Sequence, residues 1–255
     1  MKVVILCGGA GTRLREQTEY MPKPLVRIGG QPILWHIMKI YSHFGYKDFV
    51  LSLGYKGEMI KEYFLNYEWK LNDFTMSLSG KKEKKTHVNE MEDWTISFAD
   101  TGLETLTAGR IKKVEKYIDG QDFMCTYGDG VANVGLDKLV NFHKKSGKLA
   151  TLTAVHPRSK YGALKFDKTG IVTKFEEKPV LNDWINGGFF AFKNEALDHI
   201  PHEGMLEDIT FKELISKRQL SVFLHEEFWH CMDTYKDYEE LNKIYGEGKP
   251  PWMQF

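Results

Sequence analysis

The sequence predicts an α/β fold, in which a mainly parallel, mixed sheet is flanked by helices. Strand and helix signals alternate from the first residues onward, which is typical of this fold class. An apolar, β-branched run at residues 3–6 ends in a glycine-rich turn at residues 8–11, and a helix is expected to follow this turn. A second run, at residues 122–127, ends in Gly128-Asp129-Gly130. Ligands of α/β sheets bind at such carboxyl ends of strands, so both turns are candidate binding sites.

The first half of the chain continues with helices of clear periodicity. Apolar residues such as Ile33, Ile37 and Ile40 have helical spacing, and Gly45 ends the predicted helix. The elements predicted after the first strand are a helix over residues 31–44, a strand over 48–53, a helix over 57–67, a short strand over 74–78 and a strand over 94–99. Residues 105–110 are predicted to form a turn that leads into a helix running to about residue 118. The lysine-rich stretch at residues 81–85 is interpreted as a solvated loop.

The second half alternates in the same way around one β-hairpin. Residues 162–175 alternate about the turn Asp167-Lys168-Thr169-Gly170, which predicts the hairpin. The other predicted elements are strands over 122–127, 149–155, 185–192 and 221–225, and helices over 136–145, 195–199, 207–217 and 238–245. No repeat or linker interrupts the pattern, so residues 1–255 are expected to form a single domain.

Composition excludes several classes of function. The 35 basic residues balance the 35 acidic ones, so no overall field favours nucleic acid or an anionic membrane. The three cysteines, Cys7, Cys125 and Cys231, lack the spacing of a disulfide framework or a zinc motif. No apolar run has the length of a membrane span or a signal peptide. We therefore expect a cytoplasmic protein.

The glycine-rich turn is best explained as a cradle for a triphosphate. Glycines allow main-chain N–H groups to converge on an anion, and Arg13 and Lys23 add positive charge. A P-loop is excluded because no lysine follows Gly11. The dinucleotide-binding fingerprint does not match either, because the expected acidic residue is replaced by residues 20–23. A plain strand-to-helix turn remains the structural alternative.

The segment Gly8–Leu14 (GGAGTRL), followed by Pro22-Lys23-Pro24, resembles the signature of the sugar-phosphate nucleotidylyltransferases. These enzymes join a nucleoside triphosphate to a sugar 1-phosphate. The resemblance covers essentially the whole chain. It implies a Rossmann-like fold with a small β-hairpin subregion for the sugar and without a left-handed β-helix extension.

The resemblance implies three catalytic cations. Arg13 is expected on the β- and γ-phosphates, Lys23 on the α-phosphate, and Lys178 of the Glu-Lys-Pro element on the phosphate of the sugar. The nucleotide-binding residues that it implies are Leu6, Cys7, Gly8, Gly9, Ala10, Gly11, Thr12, Arg13, Lys23, Thr105, Gly109, Arg110, Gly128 and Asp129. The sugar-phosphate-binding residues are Gly162, Glu177, Lys178, Asn186 and Gly187.

The reaction of this family requires neutralisation of phosphate charge rather than a general base, because the attacking phosphate is already ionised near neutral pH. Magnesium supplies that charge and binds carboxylate oxygens. An aspartate after a strand is by itself usually a turn or cap residue. In the resembled family, however, one acid follows the central strand and another lies in a W-x-x-M-D-T-like stretch. Asp129 and Asp233 match these positions and are the expected Mg2+ ligands.

Longer runs at residues 31–39, 54–57, 60–64, 126–131 and 186–190 resemble the members that transfer a cytidylyl group from CTP to α-D-glucose 1-phosphate. Relatives that transfer uridylyl or thymidylyl groups carry a different segment where this chain has residues 105–110. We hypothesise that the guanidinium fork of Arg110 faces the base, because cytosine presents two adjacent acceptors.

Two other functions stay open from the sequence. One is uridylyl or thymidylyl transfer to glucose 1-phosphate, and the other is a non-catalytic subunit that binds a sugar nucleotide. The presence of Arg13, Lys23, Asp129, Lys178 and Asp233 favours an enzyme over the non-catalytic subunit. CTP and glucose 1-phosphate are the expected small-molecule partners, without nucleic acid or membrane, and a homo-oligomer is expected.

Overall fold

A seven-stranded sheet forms the centre of the molecule in the computed structural model, which describes residues 1–77, 79, 84–87 and 91–255. The strands are β1 Lys2–Cys7, β2 Arg27–Ile28, β3 Gln31–Pro32, β4 Asp48–Leu53, β5 Phe74–Met76, β6 Lys84–Thr86, β7 Thr95–Asp100, β8 Phe123–Tyr127, β9 Gly130–Ala132, β10 Ala150–Val155, β11 Ala163–Phe166, β12 Val172–Glu176, β13 Ile185–Phe192, β14 Leu220–His225 and β15 Trp229–Cys231. The order in the large sheet is β14-β10-β13-β8-β1-β4-β7. Only β13 runs antiparallel to its neighbours there, so the predicted mainly parallel, mixed sheet is confirmed.

Helices cover both faces of this sheet. They are α1 Arg15–Thr18, α2 Ile33–His43, α3 Gly57–Leu65, α4 Tyr67–Leu71, α5 Thr107–Val114, α6 Leu136–Ser146, α7 Lys212–Ser216 and α8 Tyr235–Gly246, and a π-helical turn, Leu206–Phe211, precedes α7. Successive residues of a strand point to opposite faces. Val3 and Ile5 of β1 accordingly belong to one buried cluster, and Val4 and Leu6 to another. Because β1 is apolar from Val3 to Cys7, it lies between two cores.

The order of the strands creates a crevice beside β1. From β1 the chain builds outward through β4 to β7, and it then returns to place β8 on the other side of β1. A crevice opens at the carboxyl ends of the strands where the direction of winding reverses. The glycine-rich turn follows β1 and Gly128 follows β8, so both predicted turns meet at this point.

Most of the long elements lie where the sequence predicts them. The strands at residues 48–53 and 185–192 have the predicted bounds, and the first long helix spans Ile33–His43. The helix expected after the glycine-rich turn is only a short 3-10 turn, Thr12–Leu14, followed by the four residues of α1. A helix cannot continue through Pro22 and Pro24, which lie just beyond. The predicted strand at 74–78 is β5, and residue 78 lies outside the described residues. Of the loop predicted at 81–85, residues 81–83 lie outside the described residues, and the prediction is wrong for Lys84 and Lys85, which belong to β6 and pair with β5.

The predicted hairpin is formed by β11 and β12, which pair with each other apart from the large sheet. All of its strand residues are exposed. Leu164 and Phe175 are cross-strand partners, and Phe166 lies on the same face as Leu164. These three side chains are 55%, 63% and 68% exposed. The hairpin therefore presents an apolar face to its surroundings.

A buried histidine under the C-terminal segment predicts a loss of stability in acid. Burial lowers the pKa of His36 from 6.5 to about 4, although its hydrogen bond with the Ile28 carbonyl (2.9 Å) opposes this shift. Between these two pH values the unfolded chain binds a proton that the folded chain does not. We therefore expect His36 to remove about 3 kcal/mol of stability as the pH falls from 6.5 to 4.

The measurement is the urea-unfolding free energy as a function of pH for the wild type and His36→Gln. Between pH 6.5 and 4 the unfolding free energy of the variant should decline less steeply than that of the wild type, whatever the absolute stability of the variant. Parallel curves for the two proteins would assign the acid sensitivity to other groups.

Candidate active site

The glycine-rich turn begins where β1 ends and bends sharply at Gly11. Gly11 has a φ of +63°, a left-handed conformation that favours glycine. The turn is closed by a hydrogen bond from the Leu14 N–H to the Gly11 carbonyl (2.9 Å), and the Tyr55 N–H donates to the Gly8 carbonyl (3.1 Å). A Cβ atom at Gly8 would lie 2.0 Å from Nη1 of Arg110. The main chain at Gly8 therefore approaches Arg110 more closely than any other residue would allow.

This turn lines a cavity of about 640 Å³ at the crevice between β1 and β8. Most of the expected nucleotide-binding residues lie in its wall: Leu6, Cys7, Gly8, Gly9, Ala10, Gly11, Arg13, Lys23, Thr105, Arg110, Gly128 and Asp129. Asp233 also lines it, as do Asn186 and Gly187 from the expected sugar site. The cavity thus brings together residues from both ends of the chain.

Two of the expected nucleotide-binding residues lie elsewhere. Gly109 is on α5, where an added Cβ would lie 2.5 Å from the carbonyl oxygen of His202. The small size of Gly109 is thus used for helix packing, and the residue does not line the cavity. Thr12 is exposed at the start of the 3-10 turn and is also outside the lining.

The two expected acidic ligands are brought together by a short ribbon that the sequence analysis did not predict. Strand β9 follows Asp129, β15 precedes Asp233, and the two strands pair antiparallel. The Met232 N–H also donates to the Asp129 carbonyl (2.8 Å). As a result, carboxylate oxygens of Asp129 and Asp233 and the sulfur of Cys231 lie within 4.8 Å of one another.

Lys23 lies between these two acids. Its ammonium donates to Oδ2 of Asp129 (2.7 Å) and to Oδ1 of Asp233 (2.8 Å), while Nη1 of Arg13 donates to Oδ2 of Asp233 (2.8 Å). The Lys23 side chain is 10% exposed and that of Arg13 is 71% exposed. Because the main chain of Lys23 lies between Pro22 and Pro24, its φ/ψ freedom is restricted before folding.

The charges of this cluster shift the pKa of its members in opposite directions. Burial by itself lowers the pKa of Lys23, but the Asp129 charge and the two hydrogen bonds raise it above its ordinary value overall. Burial raises the pKa of Asp233, yet Lys23 and Arg13 lower it below the ordinary value. Lysine and aspartate are therefore both charged at neutral pH. The Cys231 thiol has a raised pKa, mainly because it is buried, and stays protonated.

Arg110 lies in the wall of the cavity, but the expected pairing of its fork with a base does not fit this arrangement. Nη1 donates to the Leu53 carbonyl (3.1 Å), the Thr101 hydroxyl (2.6 Å) and the Gly102 carbonyl (3.0 Å). Nη2 donates to the carbonyls of Gly8 (2.9 Å) and Leu103 (3.1 Å). Five acceptors share the four N–H bonds of these two nitrogens. The fork therefore ties the glycine-rich turn to the loop after β7.

The far wall of the cavity contains a hydrogen-bonded chain that the sequence analysis missed. Asn186 Nδ2 donates to the Tyr127 hydroxyl (3.2 Å), which in turn donates to Glu207. The Thr107 hydroxyl also donates to Glu207 (3.2 Å). Glu207 enters the wall because the π-helical turn packs against α5, and no local pattern in the sequence marks this contact. Leu103, Leu106 and Met205 add an apolar surface.

Lys178 lines a second, smaller cavity of about 290 Å³. This cavity shares Ile185, Trp229, Cys231 and Asp233 with the first. Its cationic lining residues are Arg158, Lys160, Lys178 and Lys236. Gly162 and Glu177 of the expected sugar site line neither cavity; they adjoin each other at the base of the hairpin, where Phe175 covers Gly162.

Comparison with known proteins identifies this arrangement. A family profile described as "Nucleotidyl transferase" matches residues 2–248. The chain belongs to the nucleotidyl transferase family.

The chain is also similar to individual proteins of known name. It is 46% identical to a probable glucose-1-phosphate cytidylyltransferase of Bacillus subtilis over 254 residues, covering 99% of each chain. It is 44% identical to the glucose-1-phosphate cytidylyltransferase of Salmonella typhimurium, covering 99% of this chain and 98% of that protein. The crystal structure of HddC from Yersinia pseudotuberculosis, 22% identical, superposes with a TM-score of 0.69 over 96% of this chain and 99% of that one, and supports the fold.

Nucleotidyl transferases of this family generally use a divalent metal ion. The acidic pair of this nucleotidyl transferase fits such an ion, because two carboxylates from separate loops already hold one cation, the Lys23 ammonium, between them. Carboxylate oxygens are the ligands that hard divalent ions prefer. In the described part of the chain, none of the helices has both the length and the apolar character needed to cross a membrane.

Proposed function

We propose that this nucleotidyl transferase transfers the cytidylyl group of CTP to α-D-glucose 1-phosphate and releases CDP-glucose and diphosphate. The observation that carries this proposal is the convergence of the glycine-rich turn, Lys23 and the acidic pair in one cavity. The choice of CTP and glucose 1-phosphate rests on the similarity to cytidylyltransferases along the full chain.

In this reaction an oxygen of the sugar phosphate attacks the α-phosphorus of CTP, and the bond to the β-phosphate breaks. The electron pair of that bond leaves with diphosphate. The attacking oxygen is ionised near neutral pH, because the second pKa of a phosphate is about 6. The chain therefore needs no general base, and the site has to align two anions and neutralise their charge.

The cations of the first cavity are suited to the triphosphate. Arg13 is mobile and exposed, so it can follow the β- and γ-phosphates as they leave. Lys23 is buried beside Gly11, whose added Cβ would lie 3.3 Å from Cβ of Lys23, and this proximity to the glycine-rich turn supports a contact with the α-phosphate. Asp129 and Asp233 would hold Mg2+, which supplies further positive charge to the phosphates.

The second cavity is suited to the phosphate of the sugar. Lys178 and Asp233 both line it, so a phosphate bound by Lys178 would lie near Asp233. Asn186 and Gly187 line the first cavity next to Tyr127 and Glu207, where hydroxyl groups of a sugar find donors and acceptors. We propose these residues as the sugar site, and Gly162 and Glu177 as its outer edge on the hairpin.

A nucleotide panel tests the proposed activity. The purified protein is incubated with glucose 1-phosphate, Mg2+ and CTP, UTP, dTTP, ATP or GTP, and diphosphate release is measured. We expect CTP to have the highest kcat/KM. Preference for UTP or dTTP would replace the cytidylyl assignment with another nucleotide, and binding of CDP-glucose without diphosphate release from any nucleotide would favour the non-catalytic subunit.

We further propose that residues 1–255 work as one domain and that the protein is a homo-oligomer in the cytoplasm. The large sheet supports a single domain, because it contains strands from both halves of the chain, from β1 to β14. The three free cysteines suit a reducing compartment. The hairpin supports the oligomer, because an isolated two-stranded hairpin is marginal in water and this one exposes Leu164, Phe166 and Phe175.

Removing the apolar face of the hairpin is expected to dissociate the oligomer. The double variant Phe166→Ser and Phe175→Ser should lower the mass measured by analytical ultracentrifugation. The matched control is Lys165→Ser and Lys174→Ser, which changes a cross-strand pair on the same hairpin. A monomeric wild type, or an unchanged mass in the phenylalanine variant, would remove the hairpin from the interface.

A further inference from the structure

The two acids of the active site already have a cation, and it belongs to the chain. The Lys23 ammonium contacts one oxygen of Asp129 and one oxygen of Asp233, at 2.7 and 2.8 Å. Asp129 and Asp233 would hold a divalent ion through these same two oxygens, which the ammonium now occupies. Lys23 and a divalent ion therefore compete for the same position.

The charges of the cluster reinforce this competition. Lys23 and Arg13 together balance the two carboxylates, so the cluster offers little net attraction to a further cation. A divalent ion that entered beside Lys23 would meet a like charge in a partly buried site, where repulsion is only weakly screened. The side chain of Lys23 must therefore leave the carboxylates before the ion can occupy them.

We propose that Lys23 acts as an internal counterion that excludes divalent metal from the nucleotide-free site, and that the triphosphate releases it. This rests on the proposed function, in which a triphosphate occupies the glycine-rich turn. The α-phosphate offers Lys23 a new anionic partner, and the vacated carboxylates then accept the metal. The backbone of Lys23 need not move, since only its side chain leaves the oxygens of Asp129 and Asp233 for those of the α-phosphate.

A direct consequence is that metal and nucleotide bind with positive coupling. The nucleotide raises the affinity for the metal, and by linkage the metal raises the affinity for the nucleotide by the same factor. Removing Lys23 should increase the affinity for metal alone and reduce the coupling. A lysine that served only the α-phosphate would leave the affinity for metal alone unchanged.

The first arm of the test measures Mn2+ binding to the nucleotide-free protein by electron paramagnetic resonance. We expect Lys23→Met to bind Mn2+ at least about tenfold more tightly than the wild type. Arg13→Met is the matched control, because it removes one positive charge from the same cluster and leaves Lys23 between the acids. Its gain should be no more than about threefold, since the Arg13 side chain is exposed and screened.

Adding Asp129→Asn to Lys23→Met should abolish the gain in Mn2+ affinity. This loss would show that the ion binds at the acidic pair. Thermal unfolding of each variant verifies the fold, and Lys23→Gln replaces Lys23→Met if the methionine variant does not fold. Affinity for Mn2+ equal to or below that of the wild type in the folded Lys23 variant overturns the proposal. A gain as large in Arg13→Met as in Lys23→Met also overturns it, because net charge alone would then explain the effect.

The second arm measures the affinity for α,β-methylene CTP, a non-transferable analogue, with and without Mn2+. The ratio of the two affinities should be smaller in Lys23→Met than in the wild type by about the factor gained in the first arm. If this ratio is the same in Lys23→Met as in the wild type, the proposed exchange of Lys23 from the carboxylates to the α-phosphate is wrong. Failure of the wild type to bind the analogue under either condition would contradict the proposed function and leave the metal-only result of the first arm standing.

Discussion

Replacing Lys23 with alanine is expected to lower kcat for nucleotidyl transfer about 10²- to 10³-fold, the cost of removing one preorganised donor to a developing charge. The Kd for CTP should change much less, because charge on the α-phosphate increases mainly during transfer. Lys23 is placed for this role by its burial and by its contacts with Asp129 and Asp233. Single-turnover rates and equilibrium binding of CTP separate the two effects.

A control for this variant is Lys39→Ala. Lys39 is also partly buried and ion-paired, with Glu92 at 3.0 Å, but it lines neither cavity. The Lys39→Ala variant should retain near-normal kcat. A loss of kcat in Lys23→Ala would then not be a general effect of removing a paired lysine. A near-normal kcat in Lys23→Ala would exclude Lys23 from the mechanism, whatever happened to binding.

Replacing Arg110 with methionine is expected to destabilise the fold by about 2–4 kcal/mol, because buried carbonyl groups lose their donors. Arg110 is 4% exposed, and burial lowers the pKa of its guanidinium, although not to a value at which it would lose its charge near neutral pH. The carbonyls of Gly102 and Leu103 depend on it, as does the position of Gly8. Urea-unfolding measurements on the wild type and the variant give the difference in free energy.

Activity distinguishes a scaffold role of Arg110 from direct recognition of the base. If Arg110 supports the glycine-rich turn, kcat/KM for CTP and for UTP should fall together in Arg110→Met. If its fork pairs with cytosine, as the sequence suggested, the preference for CTP should fall by itself. Lys113→Met is a suitable comparison, since Lys113 binds the Thr101 carbonyl (2.8 Å) and the Thr105 hydroxyl (2.9 Å) in the same loop without contacting the turn after β1.

These predictions depend on features that differ in how far the sequence alone reveals them. The strands at residues 48–53 and 185–192 were predicted with correct bounds, because runs of apolar residues bounded by turn residues are local signals. The glycine-rich turn and the acid after β8 were likewise visible as candidates, because glycines that follow an apolar run are a local signal. The family resemblance supplied the pairing of Asp129 with Asp233, which no local pattern contains.

The π-helical turn and the short ribbons were not predicted. Strands β9 and β15 have three residues each, too few for a periodicity to be recognised. Their pairing nevertheless brings Asp129 and Asp233 together. Glu207 is a similar case, since its contacts with Tyr127 and Thr107 join residues that are distant in the chain.

The sequence by itself thus determined the α/β class and the main strands, since these follow from local periodicity and from glycine and proline, whereas the charged site residues were indicated by its resemblance to the family. Only the tertiary structure decided which charges meet. It placed Lys23 between the two acids and turned Arg110 toward main-chain carbonyls. The physical reason is that a side chain bonds to whatever partner folding brings within about 3 Å, and those partners come from strands and loops that have no local signal in common.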